Sequence, residues 1–138
     1  AIEALLAGAT GDEMATAARL LADGGQVVLA ARLFGTALAA DPANVRALVG
    51  RGALLTAPEF AAFEDLLTEG LRALDRAVEL APDDPEARFW RALAAARLGL
   101  FDEALADLDH LATLDVPPGL LAEAARLGDE VRAAAEGQ

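Results

Sequence analysis

Few side chains in this sequence are of the types that carry out chemistry. His110 is the single histidine, and Asp107 and Asp109 lie near it in the chain, so an acid–base pair is conceivable. A lone histidine of this kind is more often a partly exposed helix residue. The sequence has no Ser, Cys, Lys or Tyr, which removes most of the nucleophiles that enzymes use. We therefore expect no catalytic site.

Pairs of acidic residues recur along the chain and raise the question of a divalent cation. They are Asp12-Glu13, Glu64-Asp65, Asp83-Asp84 and Asp102-Glu103. None of these pairs has the spacing of a calcium-binding EF-hand loop. Most of them fall at predicted helix starts, where the helix dipole stabilises a carboxylate. The sequence also lacks a glycine-rich phosphate loop, so we expect neither a metal ion nor a cofactor.

The composition is typical of an all-α protein. The 138 residues suffice for one domain with a continuous core, and about a quarter of them are Ala, with many Leu and Arg. The formal net charge is −12, and all 11 basic residues are Arg. This balance argues against a nucleic-acid backbone or an anionic membrane surface as partner, because both attract positively charged patches.

The cellular compartment stays open at this level. Without Cys the chain has no disulfide and no thiolate zinc site, but this does not distinguish cytoplasm from periplasm. There is no run of about 18 apolar residues and no signal-peptide pattern. The chain begins at Ala1 rather than Met, so a targeting or anchor segment could have been removed. A membrane-attached complex, formed through a partner or a missing segment, therefore stays open.

Capping signals and apolar periodicity divide the chain into predicted helices. Thr10 and Glu13 have the spacing of a capping box, as do Thr56 and Glu59, and Asp84 can cap a helix that Pro85 opens. The predicted helices cover about 1–8, 11–22, 26–40, 43–56, 59–80, 85–98, 101–115 and 119–136.

Small residues recur at a constant spacing. In the first helix of each predicted pair, Ala18, Gly52 and Ala92 are separated by 34 and then 40 positions. In the second helices the order reverses to 40 and then 34, at Ala30, Gly70 and Ala104 and again at Ala37, Ala77 and Leu111. The period is therefore 34 residues with six extra residues between Gly52 and Gly70. We place this insertion at about 57–66, as a longer turn or an extended second helix.

A 34-residue helix-turn-helix period with small residues at these positions resembles the tetratricopeptide repeat. The clearest copy is the run from Leu98 to Ala104, which matches the turn and second-helix start of that family. The resemblance implies a single domain over 1–138, folded as a right-handed α-α superhelix of about three helix pairs. The repeats would be 11–44, 45–84 with the six-residue insertion, and 85–118, followed by a C-terminal capping helix over 119–136.

The sequence departs from the family pattern where arginines replace large apolar residues. Arg88 stands where a large aromatic is usual, and Arg51 and Arg91 stand where Leu is usual. Such an arginine can bury its stem and keep its head in water. It can also pair with a carboxylate, for which Asp75 and Asp84 are the candidates.

The resemblance also implies a concave groove lined by the first helices. Its predicted positions are Asp12, Ala15, Arg19, Arg46, Val49, Ala53, Glu86, Phe89, Trp90, Leu93 and Arg97. We single out Arg19, Arg46, Val49, Phe89, Trp90, Leu93 and Arg97 as a peptide-binding site, because Arg, Trp and Phe often dominate interface energetics. The alternative for Phe89 and Trp90 is that they fill core positions vacated by Arg88 and Arg91.

The function implied is that of a non-catalytic interaction module, an adaptor or assembly factor that binds a peptide or helix of a partner protein. The Lys- and Asn-based carboxylate clamp of some tetratricopeptide proteins does not fit, because the chain has no Lys and its only Asn, Asn44, lies in a predicted loop.

Two alternatives stay open. The run from Pro85 to Ala94 resembles periplasmic tetratricopeptide domains of bacterial cytochrome c assembly proteins, which would make apocytochrome c the partner. The chain could instead be a structural homo-oligomerisation unit, since the ends of a solenoid and the last helix can pack against a second copy. The last helix could also fold across the groove and occupy it.

Overall fold

The computed structural model describes residues 8–60 and 62–137, and these ranges form an all-α fold that is 78% helical, with seven α-helices and no strand. The helix predicted over 1–8 lies almost entirely outside the described residues. The helices are α1 (Gly11–Asp23), α2 (Val27–Ala40), α3 (Val45–Leu55), α4 (Glu64–Leu80), α5 (Pro85–Arg97), α6 (Phe101–Leu111) and α7 (Pro118–Glu136).

The predicted N-terminal caps of α1 and α5 are present. The Thr10 hydroxyl accepts a hydrogen bond from the Glu13 N–H (3.1 Å), and the Glu13 carboxylate accepts one from the Thr10 N–H (3.0 Å). The bond from the Thr10 backbone is the main reason that the pKa of Glu13 lies below its usual value. At α5, Asp84 accepts from the N–H groups of Glu86 (3.0 Å) and Ala87 (3.2 Å). Local side-chain chemistry thus sets both helix starts.

The second predicted capping box is wrong. Thr56 ends α3 instead of starting the next helix, because its buried hydroxyl donates to the carbonyl of Gly52 (2.7 Å). A short 3₁₀ turn, Pro58–Phe60, follows, and α4 begins at Glu64 rather than near residue 59. The connection between α3 and α4 therefore spans 56–63, whereas the corresponding connections at 24–26 and 98–100 have three residues each.

The helices pack as neighbouring hairpins, α1 with α2, α3 with α4 and α5 with α6, and each pair stacks on the next. All nine positions of the predicted period, eight small residues and Leu111, are buried. The glycines of α3 permit the closest approaches: a Cβ at Gly50 would overlap the ring of Phe34, and one at Gly52 would overlap the side chain of Leu74. The small residues are therefore the positions at which neighbouring helices touch.

The arginines of α5 lie against the buried Asp107, which was not among their predicted partners. Asp107 of α6 is only 3% exposed at its side chain, and it accepts hydrogen bonds from Arg88 (3.0 Å) and from two nitrogens of Arg91 (2.6 and 2.8 Å). Arg91 also contacts Asp75 at 3.4 Å, and Asp75 is one of the two carboxylates predicted as partners of these arginines. The bond to Asp107 is the main cause that raises the pKa of Arg91.

Asp107 is consequently unavailable as a partner for His110. The imidazole Nε2 of His110 instead lies 2.9 Å from a carboxylate oxygen of Asp83, and both side chains are exposed to solvent. The pairing of His110 with a carboxylate thus occurs at the solvent-exposed surface, with Asp83 in place of Asp107 or Asp109.

The last helix, α7, packs against α6 and α5 and closes the end of the stack. Its buried residues Ala124, Leu127 and Val131 share a core cluster with Phe89 and Leu111. Within 8–60 and 62–137, no helix is long and apolar enough to cross a membrane.

Candidate interaction groove

The first helices of the three pairs, α1, α3 and α5, share one face of the molecule, and two adjoining cavities lie on it. The first has a volume of about 230 Å³ and a mostly apolar lining of Ala22, Val27, Phe34, Val49, Gly50, Ala53, Leu54, Ala57 and Trp90, with Arg19, Asp23 and Glu59. The second, of about 270 Å³, is more polar and is lined by Asp12, Arg19, Val45, Arg46, Val49, Asp84 and Glu86. Both cavities are lined by Arg19 and Val49, so they lie next to each other, and together they are here called the groove.

Trp90 links the groove to the protein core. Its ring packs edge-to-face on Phe89, with centroids 5.5 Å apart and an interplanar angle of 83°. The indole is partly buried between the cluster of α5, α6 and α7 and the cluster that contains Leu48 and Val78, and it also lines the apolar cavity. A side chain held on several sides in this way presents a rigid apolar surface to the groove.

An ion pair crosses the groove from the first helix pair to the third. Arg19 of α1 donates to Glu86 of α5 at 3.1 Å, and both side chains are about half exposed. The second arginine of the groove, Arg46, donates to the hydroxyl of Thr16 at 3.1 Å. The two guanidinium groups are therefore each engaged with the protein itself.

The structure brings together four of the seven singled-out residues. Arg19, Arg46, Val49 and Trp90 all line the groove, and Val49 is its buried floor. Of the other predicted groove positions, Asp12, Ala53 and Glu86 also line it, whereas Ala15 is fully buried.

The other three singled-out residues lie elsewhere. Phe89 is buried and packs with Leu93 in the core cluster that α7 completes, so Phe89 fills a core position and does not line the groove. Arg97 is exposed beside a separate cavity near Glu64, at the start of α4. The apolar contact surface on α5 therefore consists of Trp90 without its aromatic neighbour.

Several lining residues were missed because they lie outside the first helices. Val27 and Phe34 belong to α2, and Glu59 belongs to the long connection after α3. Phe34 belongs to the buried apolar face of α2, and this periodicity is a signal for its burial but not for its second role at the groove. Nothing in the sequence indicates the path of the inserted residues, so the position of Glu59 at the groove could not be predicted.

No group of acidic or histidine side chains suited to holding a metal ion occurs in 8–60 and 62–137. The groove offers apolar surface, an ion pair and carboxylates, which are the means to bind a partner.

Comparison with known proteins identifies the fold. No family model matches this sequence, and no curated protein does. Among solved structures, the type III secretion translocator chaperone SycD of Yersinia enterocolitica aligns with a TM-score of 0.73 at 17% identity, over 91% of this chain and 94% of that one. SycD in complex with a peptide of the translocator YopD aligns with a TM-score of 0.70 at 16% identity, over 88% and 92% of the two chains.

The TPR domain of P58(IPK) aligns with a TM-score of 0.71 at 16% identity, over 93% of this chain and 35% of that longer one. Identities this low establish the fold alone. The chain is thus a tetratricopeptide-like α-α superhelix, as its repeat period predicts.

Proposed function

We propose that this protein is a non-catalytic interaction module, an adaptor or assembly factor that binds a peptide or helix of a partner protein in the groove. The observation that carries the proposal is the apolar cavity of about 230 Å³ beside Trp90, which lies on the surface formed by the first helices. The side chains of its wall, among them Phe34 and Leu54, are held in place by the core beneath them.

The dimensions of the groove favour a peptide over a small molecule. Drug-sized ligands occupy sites of about 300–1,000 Å³, whereas the apolar cavity of about 230 Å³ is smaller and has a separate, polar cavity beside it. A small apolar cavity next to a polar one suits a segment that places one or two apolar side chains in the first and its backbone and polar groups along the second.

The solved structures support the same mode of action. SycD, which shares this fold, has been determined in complex with a peptide of the translocator YopD. That binding is a property of SycD, and we extend to this chain only the general use of the superhelix as a peptide-binding surface.

Ala53 allows a direct test, because it lines the apolar cavity and is only partly buried. Ala53→Arg should fill the cavity and abolish binding of peptides selected from a displayed library against the native protein. Ala122→Arg on the exposed side of α7 is the matched control and should keep full binding. Unfolding temperatures of both variants establish that they fold. Retained binding in a folded Ala53→Arg variant would refute the groove as the site.

The two narrower hypotheses have separate tests. An apocytochrome c partner predicts that a helical peptide from that class of protein binds in competition with the selected peptides. Self-assembly predicts a molar mass by light scattering that rises with protein concentration and that Ala53→Arg lowers, if a second copy fills the groove.

A further inference from the structure

The groove contains more negative than positive side chains. Its lining includes two guanidinium groups and five carboxylates, which give it a formal charge of −3. The carboxylates are those of Asp12, Asp23, Glu59, Asp84 and Glu86. The chain has no Lys and a formal net charge of −12, so the rest of the surface reinforces this sign.

The two arginines of the groove are poor receptors for an acidic partner. Arg19 is paired with Glu86 at 3.1 Å, and Arg46 donates to Thr16 at 3.1 Å. A partner carboxylate that took Arg19 would displace Glu86 and leave two like charges next to each other. Because unpaired like charges oppose binding, this exchange gives little net gain.

Two carboxylates at the apolar cavity are, in contrast, available. Asp23 ends α1 and Glu59 lies in the 3₁₀ turn, and both are exposed. Within the described part of the chain, neither has an ion-pair partner. The negative end of the α1 dipole adds to the charge of Asp23. The rim of the apolar cavity therefore attracts cations.

We propose that the groove binds a basic amphipathic segment of a partner protein. An apolar side chain of that segment enters the cavity beside Val49 and Trp90. Lys or Arg side chains next to it meet Asp23 and Glu59 at one rim and the carboxylates around Glu86 in the adjoining cavity. This inference rests on the proposed function, because it specifies the chemistry of what the groove binds.

A series of labelled synthetic peptides tests the charge preference. All members keep the same apolar residues, while their Lys residues are replaced stepwise by Gln and then by Glu, and binding is followed by fluorescence anisotropy. Affinity should rise with positive charge and fall with added salt. The double variant Asp23→Asn with Glu59→Gln should weaken the most basic peptide about fivefold to tenfold and leave the uncharged one unchanged.

The matched control removes the same charge elsewhere. Glu123→Gln with Glu130→Gln on the exposed side of α7 should leave the affinity for the basic peptide within about twofold, because salt screens distant charges. Equal weakening by both double variants, or tighter binding of the acidic peptides, overturns the charge inference but leaves groove binding intact. If no peptide of either charge binds, and none is recovered from the displayed library, the proposed function fails and this inference fails with it.

Discussion

At the scale of single residues, two carboxylates that bind the same arginine differ in how deeply they are buried. Asp107 is 3% exposed and shares two short bonds with Arg91, whereas Asp75 is 51% exposed and shares one longer contact. Burial raises the pKa of Asp75 above its usual 3.8, although the charge of Arg91 acts in the opposite direction. The two aspartates should therefore respond differently to neutralisation.

We expect Asp107→Asn to lower the free energy of unfolding by about 2–4 kcal/mol, because it leaves Arg88 and Arg91 partly buried without a full counter-charge. Asp75→Asn should change the stability little at neutral pH, and slightly in favour of the variant, because Asp75 is half exposed and its pKa is raised. Urea denaturation of both variants measures the difference. Similar losses in the two variants would show that burial is not what makes Asp107 important.

The pH dependence of Asp75→Asn follows from the sign of its pKa shift. A carboxyl whose folded pKa is raised stabilises the fold below its unfolded pKa, and this contribution is lost as pH rises through the folded value. The native protein should therefore match Asp75→Asn in acid and fall slightly below it in stability at neutral pH. A native protein that gains stability over the variant through this range would contradict the direction of the shift.

At the scale of helices, the glycines of α3 determine how closely its neighbours α2 and α4 can pack. Gly52→Ala should destabilise the protein by about 1–3 kcal/mol, since its Cβ would meet the fully buried side chain of Leu74. Gly35→Ala in α2 is the control, because its Cβ meets nothing within 4 Å, and the higher helix propensity of Ala should add up to about 1 kcal/mol. Thermal unfolding compares the two. A stabilised Gly52→Ala variant would mean that the α3–α4 contact readily adjusts.

Most helices could be predicted because their signals are local. Thr10 and Asp84 cap helices through their own side chains, and the small residues recur at a period that depends only on chain order. The start of α4 could not be predicted, because Thr56 has two possible hydrogen-bonding partners in the sequence. Its choice of the Gly52 carbonyl depends on its burial beside α4, which periodicity does not reveal.

At the scale of the whole molecule, α7 completes the core without lining the groove. We expect Leu127→Ala to lower the free energy of unfolding by about 2–4 kcal/mol while the folded protein keeps its peptide affinity. Leu121→Ala, on an exposed part of the same helix, should have a much smaller effect on both. Loss of peptide binding in a folded Leu127→Ala variant would place α7 in the binding surface.

The groove could be predicted only in outline, because its lining depends on how the whole molecule packs. Phe89 and Trp90 are neighbours in the chain, but successive residues of a helix point about 100° apart, so one turns to the core and the other to the groove. The packing of α7 decides which of them is buried. Likewise, Arg19 and Arg46 both line the groove, but their internal partners Glu86 and Thr16 depend on how the helix pairs stack, which the sequence does not reveal.

The Arg19–Glu86 pair has a kinetic consequence. In the described part of the chain, the main helix contacts join elements that are adjacent or next but one, whereas this pair joins residues 67 positions apart. Because it joins the first helix pair to the third, we expect it to form late in folding. An exposed ion pair contributes about 0–1 kcal/mol, so breaking the Arg19–Glu86 pair costs far less free energy than unfolding a helix. Because it opens at so little cost, the pair should not slow the entry of a partner into the groove.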